Sequence, residues 1–490
     1  MRSSGILMHI TSLPGPYGVG TMGKKAYEFV DFLKAAGQKY WQMLPLTPTG
    51  YGDSPYQSCS TFAGNHYLID LDLLVEEGLL TQQELDSVCW GDREDRVDFG
   101  AQYHNKLNVL RKAFQRHGQT EDFARFRAEN DYWLPEYAAF MVLKEHFGGK
   151  PWYEWPEELK FRKTFVIDAA VQYAGYEGYQ FHCFVQYLFD KQWKALRSYA
   201  HENGISIIGD VPIYVPHDSV EVWSSPELFQ LDENLNPTAV AGCPPDAFSE
   251  DGQLWGNPLY RWDVMAAEGY GWWLRRLEAA GKRFDVIRLD HFRGFESYWS
   301  VPYGDATARN GHWVKGPDMD FISAIRKGLP HIRFIAEDLG FLTQAVLDLR
   351  DNSGYPGMMV LEFAFGGDRT SEHLPYKHIP NTVCYIGTHD NMPILEWLNS
   401  LDADTLSHAA AYIHLDQAEG FVWGLIRTAL ASVSNLAVLQ MQDLLELGEG
   451  TRMNSPGLCD GTNWVWRAKD GVFTPELAEK LKNMTRLYGR

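Results

Sequence analysis

At 490 residues the chain is long enough for one large α/β barrel with insertions or for several ordinary domains. The formal net charge of −20 argues against nucleic acid or a membrane as a partner, because nucleic acids and anionic membranes are bound by clustered Lys and Arg. No apolar run approaches the roughly 20 residues that cross a bilayer, and six cysteines without a C-x-x-C pair predict reduced thiols, no zinc site and a cytoplasmic location.

Short β-like runs alternate with helical stretches, which is typical of βα units around a parallel sheet. The first strand is predicted at Gly5–Ile10, followed by a helix over Lys24–Ala36 that Gly37 ends. The other strands are predicted at Tyr40–Leu46, Ile205–Tyr214, Phe284–Asp290, Ile332–Glu337, Met358–Phe363, Thr382–Gly387 and Leu436–Gln442. Eight such repeats predict a single (β/α)₈ TIM barrel over residues 1–490, with catalytic residues at the C-terminal ends of the strands.

Two long segments interrupt the repeat and are predicted as insertions. From about Leu71 to Phe165 the apolar spacing is helical and too long for a βα loop, so residues 71–170 are predicted to form a helical subdomain. Residues 218–260 are irregular and rich in Pro, Gly and Trp, which predicts a loop-rich subdomain. About 48 residues (490 − 442) follow the last predicted strand, too few for a C-terminal β-sandwich.

The segment Phe284–Gly294 contains the strongest candidate site. Side chains alternate along a strand, so Arg288 and Asp290 share one face while Ile287 and Leu289 share the other. A structural ion pair is one interpretation, but buried pairs of this kind are costly and rarely stabilising. An Arg-held carboxylate is the other, because a cation favours the ionised form that a nucleophile requires.

Three more acids stand at predicted strand ends. Glu337 ends the predicted strand in the segment Phe334–Gly340. Asp390 follows the strand in Tyr385–Asn391, and Asp210 lies at the end of a fourth strand. Taken singly, each has an ordinary explanation: a surface acid, a helix N-cap, or an acceptor of a backbone hydrogen bond.

The four acids together indicate catalysis, because like charges do not gather at one barrel mouth without a use. Retaining glycoside chemistry requires two carboxyls about 5 Å apart, one as nucleophile and one as proton donor. Crowding raises the pKa of one acid and prepares it to donate a proton. The set therefore predicts cleavage of glycosidic bonds, with Asp290, Glu337 and Asp390 as the catalytic group.

The order of these residues resembles the α-amylase clan: Asp on strand three, Arg-x-Asp on strand four, Glu on strand five and His-Asp on strand seven. Longer motifs resemble the 4-α-glucanotransferases, also called amylomaltases or disproportionating enzymes. The resemblance runs from about Gly5 to the end of the chain and is carried by Gly50–Ser58, Gly242–Ser249, Leu254–Tyr260 and Arg452–Gly457.

The resemblance implies a role for each matching residue. Asp290 matches the nucleophile that forms a covalent glucosyl-enzyme. Glu337 matches the acid/base that protonates the leaving oxygen and then deprotonates the acceptor. Asp390, with His389 beside it, matches the acid that grips the sugar hydroxyls and stabilises the transition state.

The resemblance also implies a set of substrate-binding residues. Arg288 matches the residue that orients the nucleophile, Tyr56 matches a ring that stacks on the transferred sugar, and Trp255 lies on a loop flanking the acceptor side. The segment that begins at Asn463 and contains Trp464 and Trp466 is expected to line the acceptor sites, although two such Trp residues are equally typical of a core.

The sequence departs from the amylase pattern at two places. After Asp210, which is either a binding or a structural residue, the text Val211–Tyr214 lacks the Asn that helps amylases hold calcium. Thr388 stands where many amylases have Asn. We expect no metal and no cofactor, and retaining transfer between maltooligosaccharides and other α-1,4-glucans. A glucan hydrolase and a non-catalytic glucan-binding barrel are the alternatives.

Overall fold

Parallel strands form the barrel that the sequence predicts, and a second, smaller sheet is built from two of the barrel's loops. The computed structural model describes residues 2–50, 52–163, 166–245 and 249–490. The strands in these ranges are β1 (Ser3–Leu7), β2 (Tyr40–Gln42), β3 (Ser206–Val211), β4 (Ala239–Cys243), β5 (Gln253–Pro258), β6 (Val286–Leu289), β7 (Ser297–Pro302), β8 (His312–Lys315), β9 (Arg333–Ala336), β10 (Gly357–Val360), β11 (Thr382–Tyr385) and β12 (Leu436–Gln440).

The barrel strands follow the order β10-β11-β12-β1-β2-β3-β6-β9, with parallel pairing throughout. The Ala336 N–H donates to the Pro356 carbonyl at 2.9 Å and thereby links β9 to the residue before β10. All eight predicted barrel strands are confirmed, but each ends earlier than predicted. The residues after each strand leave the ladder for turns or short helices at the barrel mouth, where the site is built.

Helices surround the barrel and fill the first insertion. Helix α1 (Lys24–Ala35) follows β1, as predicted. Between β2 and β3 lie α2 (Asp72–Glu76), α3 (Gln82–Asp86), α4 (Phe99–His117), α5 (Glu121–Glu129), α6 (Leu134–His146), α7 (Glu157–Lys160) and α8 (Val166–Glu202). Helical structure is therefore present where the spacing predicts it, up to the predicted end at Phe165, which lies outside the described residues. The subdomain bounds 71–170 and 218–260 stay predictions.

The remaining helices alternate with the later barrel strands or lie in the second insertion. They are α9 (Val220–Ser224), α10 (Trp262–Ala267), α11 (Gly271–Arg283), α12 (Asp318–Gly328), α13 (Gln344–Ser353), α14 (Leu361–Ala364), α15 (Ile394–Ser400), α16 (Ala403–Tyr412), α17 (Gly420–Ala431), α18 (Met441–Leu444) and α19 (Pro475–Leu487). Only α18 and α19 follow β12 in the part of the chain described. No described helix is long and apolar enough to cross a membrane.

The prediction that residues 218–260 are irregular is wrong in part. Strands β4 and β5 lie in this segment and join β7 and β8 in an antiparallel sheet of order β5-β4-β7-β8. The partners β7 and β8 come from the loop after barrel strand β6. Glycine and proline in β5 and the short, exposed β8 obscure the alternation on which strand prediction depends.

Alternation along β6 decides which residues face the site. Ile287 and Leu289 are buried in the apolar core, which lies between the strands and the surrounding helices. Arg288 and Asp290 therefore project to the opposite side, into the barrel mouth.

Candidate active site

Arg288 joins two of the predicted acids. Its Nη1 lies 2.6 Å from Asp210 Oδ2 and 3.0 Å from Asp290 Oδ1. Asp210 and Arg288 are register partners on β3 and β6, and the Asp210 side chain is fully buried. Asp290 follows β6 and keeps 26% of its side chain exposed. Arg288 thus forms a buried structural pair with Asp210 and also orients Asp290 towards the open mouth.

Burial and the neighbouring charged groups shift the pKa of Asp290, some upwards and others downwards. Burial raises the pKa of Asp290, and the Arg288 guanidinium opposes this rise, as sequence reasoning expected of a cation beside a nucleophile. Asp390 raises the pKa further and His389 lowers it. With Arg288 in hydrogen-bond contact, Asp290 is better suited than its neighbour Glu337 to be the ionised member of the pair.

Glu337 follows β9, the strand that pairs with β6, so it lies beside Asp290. Its Oε2 accepts a hydrogen bond from the His291 N–H at 2.7 Å, and its Oε1 accepts one from the Leu339 N–H at 3.2 Å. Burial raises the pKa of Glu337 well above its usual range; Arg288 opposes the rise and Asp290 adds to it. A carboxyl that stays protonated near neutral pH can act as a general acid.

Asp390 lies in the turn after β11, and 41% of its side chain is exposed, compared with 26% for Asp290. Its N–H donates to Thr388 Oγ1 at 3.3 Å, and Asn454 Nδ2 donates to its Oδ1 at 2.6 Å. The helix-cap interpretation of Asp390 is wrong, because helix α15 begins at Ile394, whose N–H is bound by Asp443. The Asp390 carboxylate is therefore available to a ligand.

His389 and Tyr56 form a stacked pair beside Asp390. Their ring centroids are 5.3 Å apart with planes 11° from parallel, and Tyr56 Oη donates to Asp210 Oδ2 at 2.8 Å. His389 Nε2 lies 3.4 Å from Asp390 Oδ1, and burial lowers the pKa of His389. The Tyr56 ring thus reaches the predicted site, with one face against His389.

Trp255 lies at the edge of the same site. Its ring meets the His291 ring edge-on, with centroids 4.8 Å apart and planes 89° apart, and its indole N–H donates to Gln253 Oε1 at 3.1 Å. His291 also binds Glu337 through its N–H. Trp255, which is partly exposed, is therefore one residue removed from the proposed acid.

The side chain of Asn463 forms hydrogen bonds within the protein. Its Oδ1 accepts from the Ser455 N–H at 2.8 Å, and its Nδ2 donates to the carbonyls of Ser455 and Leu458. The neighbouring Trp464 is buried, with its ring centroid 5.8 Å from that of Tyr56. Asn463 thus stabilises the loop from Ser455 to Asn463, and Trp464 packs beside the stacked rings of Tyr56 and His389.

Sequence reasoning gave no roles to Arg452 and Asn454, although both belong to the motif Arg452–Gly457. The Arg452 guanidinium donates to the Asp390 carbonyl and to the Asn454 carbonyl, while Asn454 holds the Asp390 carboxylate. Two other motif segments, Tyr51 and Asp246–Phe248, lie outside the described residues.

Comparison with known proteins decides the family. The family model described as 4-alpha-glucanotransferase matches residues 8–473. The chain belongs to the 4-alpha-glucanotransferase family. It is 47% identical to the 4-alpha-glucanotransferase of Clostridium butyricum, over 99% of this chain and 100% of that one. It is 46% identical to that of Thermus thermophilus, over 100% and 99%.

A solved structure of the same family has the same fold. Amylomaltase from Streptococcus agalactiae, solved in complex with acarbose, superposes with a TM-score of 0.97 at 40% identity, covering 100% of both chains. The sequence-based expectations of family and of a TIM barrel are confirmed. The roles of individual site residues are argued below from the geometry.

Proposed function

We propose that this chain transfers an α-1,4-glucan segment from a maltooligosaccharide or a starch- or glycogen-type donor to glucose or another glucan. The transfer proceeds with retention of configuration through a covalent glucosyl-enzyme on Asp290. The observation that carries the proposal is the pair of acids that follow neighbouring strands, of which Asp290 contacts a guanidinium, whereas Glu337 has a pKa that burial and Asp290 raise well above its usual range.

The two environments suit the two steps of a retaining mechanism. Asp290, oriented by Arg288, attacks the anomeric carbon while protonated Glu337 gives its proton to the departing glycosidic oxygen. An ester bond to Asp290 forms as the glycosidic bond breaks. The acceptor hydroxyl then attacks the same carbon, Glu337 takes the hydroxyl proton, and the ester bond breaks. Asp390 supplies negative charge where the oxocarbenium-like transition state develops positive charge.

Product analysis separates transfer from its alternatives. Incubation with maltotriose is expected to yield glucose together with a ladder of longer chains. A hydrolase would yield shorter sugars alone, and a non-catalytic binder would leave maltotriose unchanged.

We expect activity to be independent of added metal ions. The residues after Asp210 lack the calcium-binding Asn of the amylase pattern, and the mechanism uses carboxylates alone. Among the described residues, no group of three or more His, Cys, Asp or Glu is arranged to hold a metal. Turnover of maltotriose after chelation and dialysis should equal that of untreated enzyme. A loss that calcium reverses would contradict this expectation.

A held sugar can outcompete water at the glucosyl-enzyme, and Trp255 is positioned to help. Bulk water has a concentration of ~55 M, whereas an acceptor sugar that is held in place can reach an effective molarity of about 10⁵ M or more. We expect Trp255→Ala to raise the ratio of hydrolysis to transfer several-fold while formation of the glucosyl-enzyme changes little. The measurement compares new reducing ends with chain-length redistribution in one reaction.

Trp299→Ala is the matched control for Trp255→Ala. Trp299 lies on β7 of the same small sheet, and its indole N–H donates to the Ala308 carbonyl in the loop between β7 and β8. Loss of packing in this sheet should lower both activities together and leave their ratio unchanged. An unchanged ratio in Trp255→Ala would remove this residue from the acceptor site.

The cytoplasm is the compartment that we propose. Cys59, Cys89, Cys183, Cys384 and Cys459 are free cysteines, as expected in a reducing compartment. The proposed partners are glucans alone, which agrees with the acidic net charge.

A further inference from the structure

A fifth acid, Glu362, lies behind the turn that carries Asp390. It belongs to α14, directly after barrel strand β10, and its side chain is buried, with 5% of the residue exposed. Its backbone N–H donates to the carbonyl of Ile386, at the end of the neighbouring strand, at 3.0 Å. The proposed mechanism gives this acid no task.

A chain of hydrogen bonds leads from Glu362 to Asp390. Asn391 Nδ2 donates to Glu362 Oε2 at 3.0 Å. Asn391 Oδ1 accepts from both the N–H and the Oγ1 hydroxyl of Thr388, each at 2.9 Å. Thr388 Oγ1 accepts from the Asp390 N–H in turn. The Asn391 amide therefore closes the Thr388–Asn391 turn, and Glu362 fixes that amide.

The surroundings of Glu362 favour its uncharged form. Its Oε1 is buried without a hydrogen-bond partner among the described residues. The charged groups that act on it most strongly are Asp443, Arg452 and Glu396. Burial raises the pKa of Glu362 well above its usual range and Asp443 raises it further, while the Asn391 hydrogen bond and Arg452 oppose the rise. Burial also raises the pKa of Asp443 to about 7.

The turn is packed tightly against this acid. Gly387 precedes Thr388, and a Cβ there would lie 2.7 Å from Glu362 Oε1 and 2.9 Å from both Asn391 Cβ and Gln440 Nε2. Contacts this short force neighbouring atoms to move. Glu362 and Asn391 therefore occupy the space that a side chain on residue 387 would need.

We propose that Glu362 is a positioning residue for Asp390, acting as the hydrogen-bond acceptor that fixes Asn391 and, through it, the turn that aims His389 and Asp390 at the sugar. The inference rests on the substrate-gripping role proposed for Asp390. An uncharged carboxyl suits this task, because its carbonyl oxygen accepts from Asn391 without placing an unpaired charge in the barrel.

Two substitutions of Glu362 test whether its role depends on the hydrogen-bond acceptor or on the ionisable carboxyl. Glu362→Gln keeps a carbonyl oxygen facing Asn391, whereas Glu362→Met has similar volume and no acceptor. Since a displacement of about 1 Å can cost 10²-fold in rate, we expect Glu362→Met to lower kcat/KM for maltotriose by about 10- to 100-fold. Glu362→Gln should stay within a few-fold of the wild type. An equal loss in both variants would overturn the proposal, as would full activity in Glu362→Met.

A double-mutant cycle with Asp390→Ala tests whether the effect passes through Asp390. An activated donor, α-maltosyl fluoride, keeps the rates of all variants measurable. If Glu362 acts through Asp390, then Glu362→Met costs little in the Asp390→Ala background, although it lowers the melting temperature equally in both. The same fold-loss in both backgrounds would show a general structural role and overturn the inference.

Controls keep the result interpretable. Asp443→Asn alters the other buried acid, which holds the Ile394 N–H and not Asn391, so its effect should be additive with Asp390→Ala. If Glu362→Met does not fold, Glu362→Asp retracts the acceptor by one methylene and enters the same cycle. Full activity of Asp390→Ala alone would reject the proposed site; an impaired Asp390→Ala with a normal Glu362→Met rejects only the present inference.

Discussion

Asp290→Asn is expected to lower kcat for maltotriose disproportionation by about 10⁴-fold or more, because the neutral amide cannot form the ester intermediate. Binding should persist, since Arg288 and Asp210 still form their buried pair. Rates are measured by glucose release, and binding is measured separately by calorimetry with maltotriose. Activity near the wild-type level would place the nucleophile elsewhere.

Asp285→Asn is the matched control for this substitution. Asp285 precedes β6, at the opposite end of the strand from Asp290, and also pairs with an arginine, Arg197, at 2.6 Å. It further accepts a hydrogen bond from the Ile207 N–H at 2.7 Å. Its loss should lower stability by about 1–3 kcal/mol and leave kcat unchanged.

Chemical rescue gives a stereochemical answer. In Asp290→Ala, azide can enter the space of the missing carboxylate and attack the anomeric carbon of α-maltosyl fluoride directly. A single displacement inverts the centre, so the expected product is the β-glycosyl azide. Formation of the α-azide would mean that a covalent intermediate still forms without Asp290.

Much of the barrel and its central acids can be predicted from the sequence because the signals are local. Alternation over four residues places Arg288 and Asp290 on one face, and the apolar run before Glu337 predicts its strand. The pairing of Asp210 with Arg288 then follows from the adjacency of β3 and β6 in a barrel. The family motifs assign the roles that local patterns leave open.

Contacts between distant segments are the part that local patterns cannot predict. Asn454 binds Asp390 from 64 positions away, on a loop with no periodicity of its own. Glu362 was hidden inside the predicted strand Met358–Phe363, whereas β10 ends at Val360 and the next residues form α14. The small antiparallel sheet was missed for the same reason, since its two halves come from different barrel loops.

Glu337→Gln is expected to lower kcat for maltotriose by about 10²–10⁴-fold, because the glycosidic oxygen leaves without a proton. α-Maltosyl fluoride should still form the glucosyl-enzyme at a rate close to that of the wild type, since fluoride needs little acid assistance. The measurement compares the two donors in pre-steady-state reactions. If the activated donor fares no better than maltotriose, Glu337 is not the acid.

The pH dependence follows from the direction of the Glu337 shift. Burial raises the pKa of Glu337, so the protonated form persists near neutral pH and acid catalysis is lost only as pH rises through this raised value. The alkaline fall in kcat/KM for maltotriose should therefore be absent from Glu337→Gln with the fluoride donor. Asp338→Asn is the control. Asp338 binds Arg350 and the Met358 N–H, and its charge also raises the pKa of Glu337, so this variant should show the fall at a lower pH. It should lose stability yet keep the alkaline fall. Azide added to Glu337→Ala attacks the glucosyl-enzyme from the acceptor side, so the α-azide is expected, the opposite anomer to that formed by Asp290→Ala.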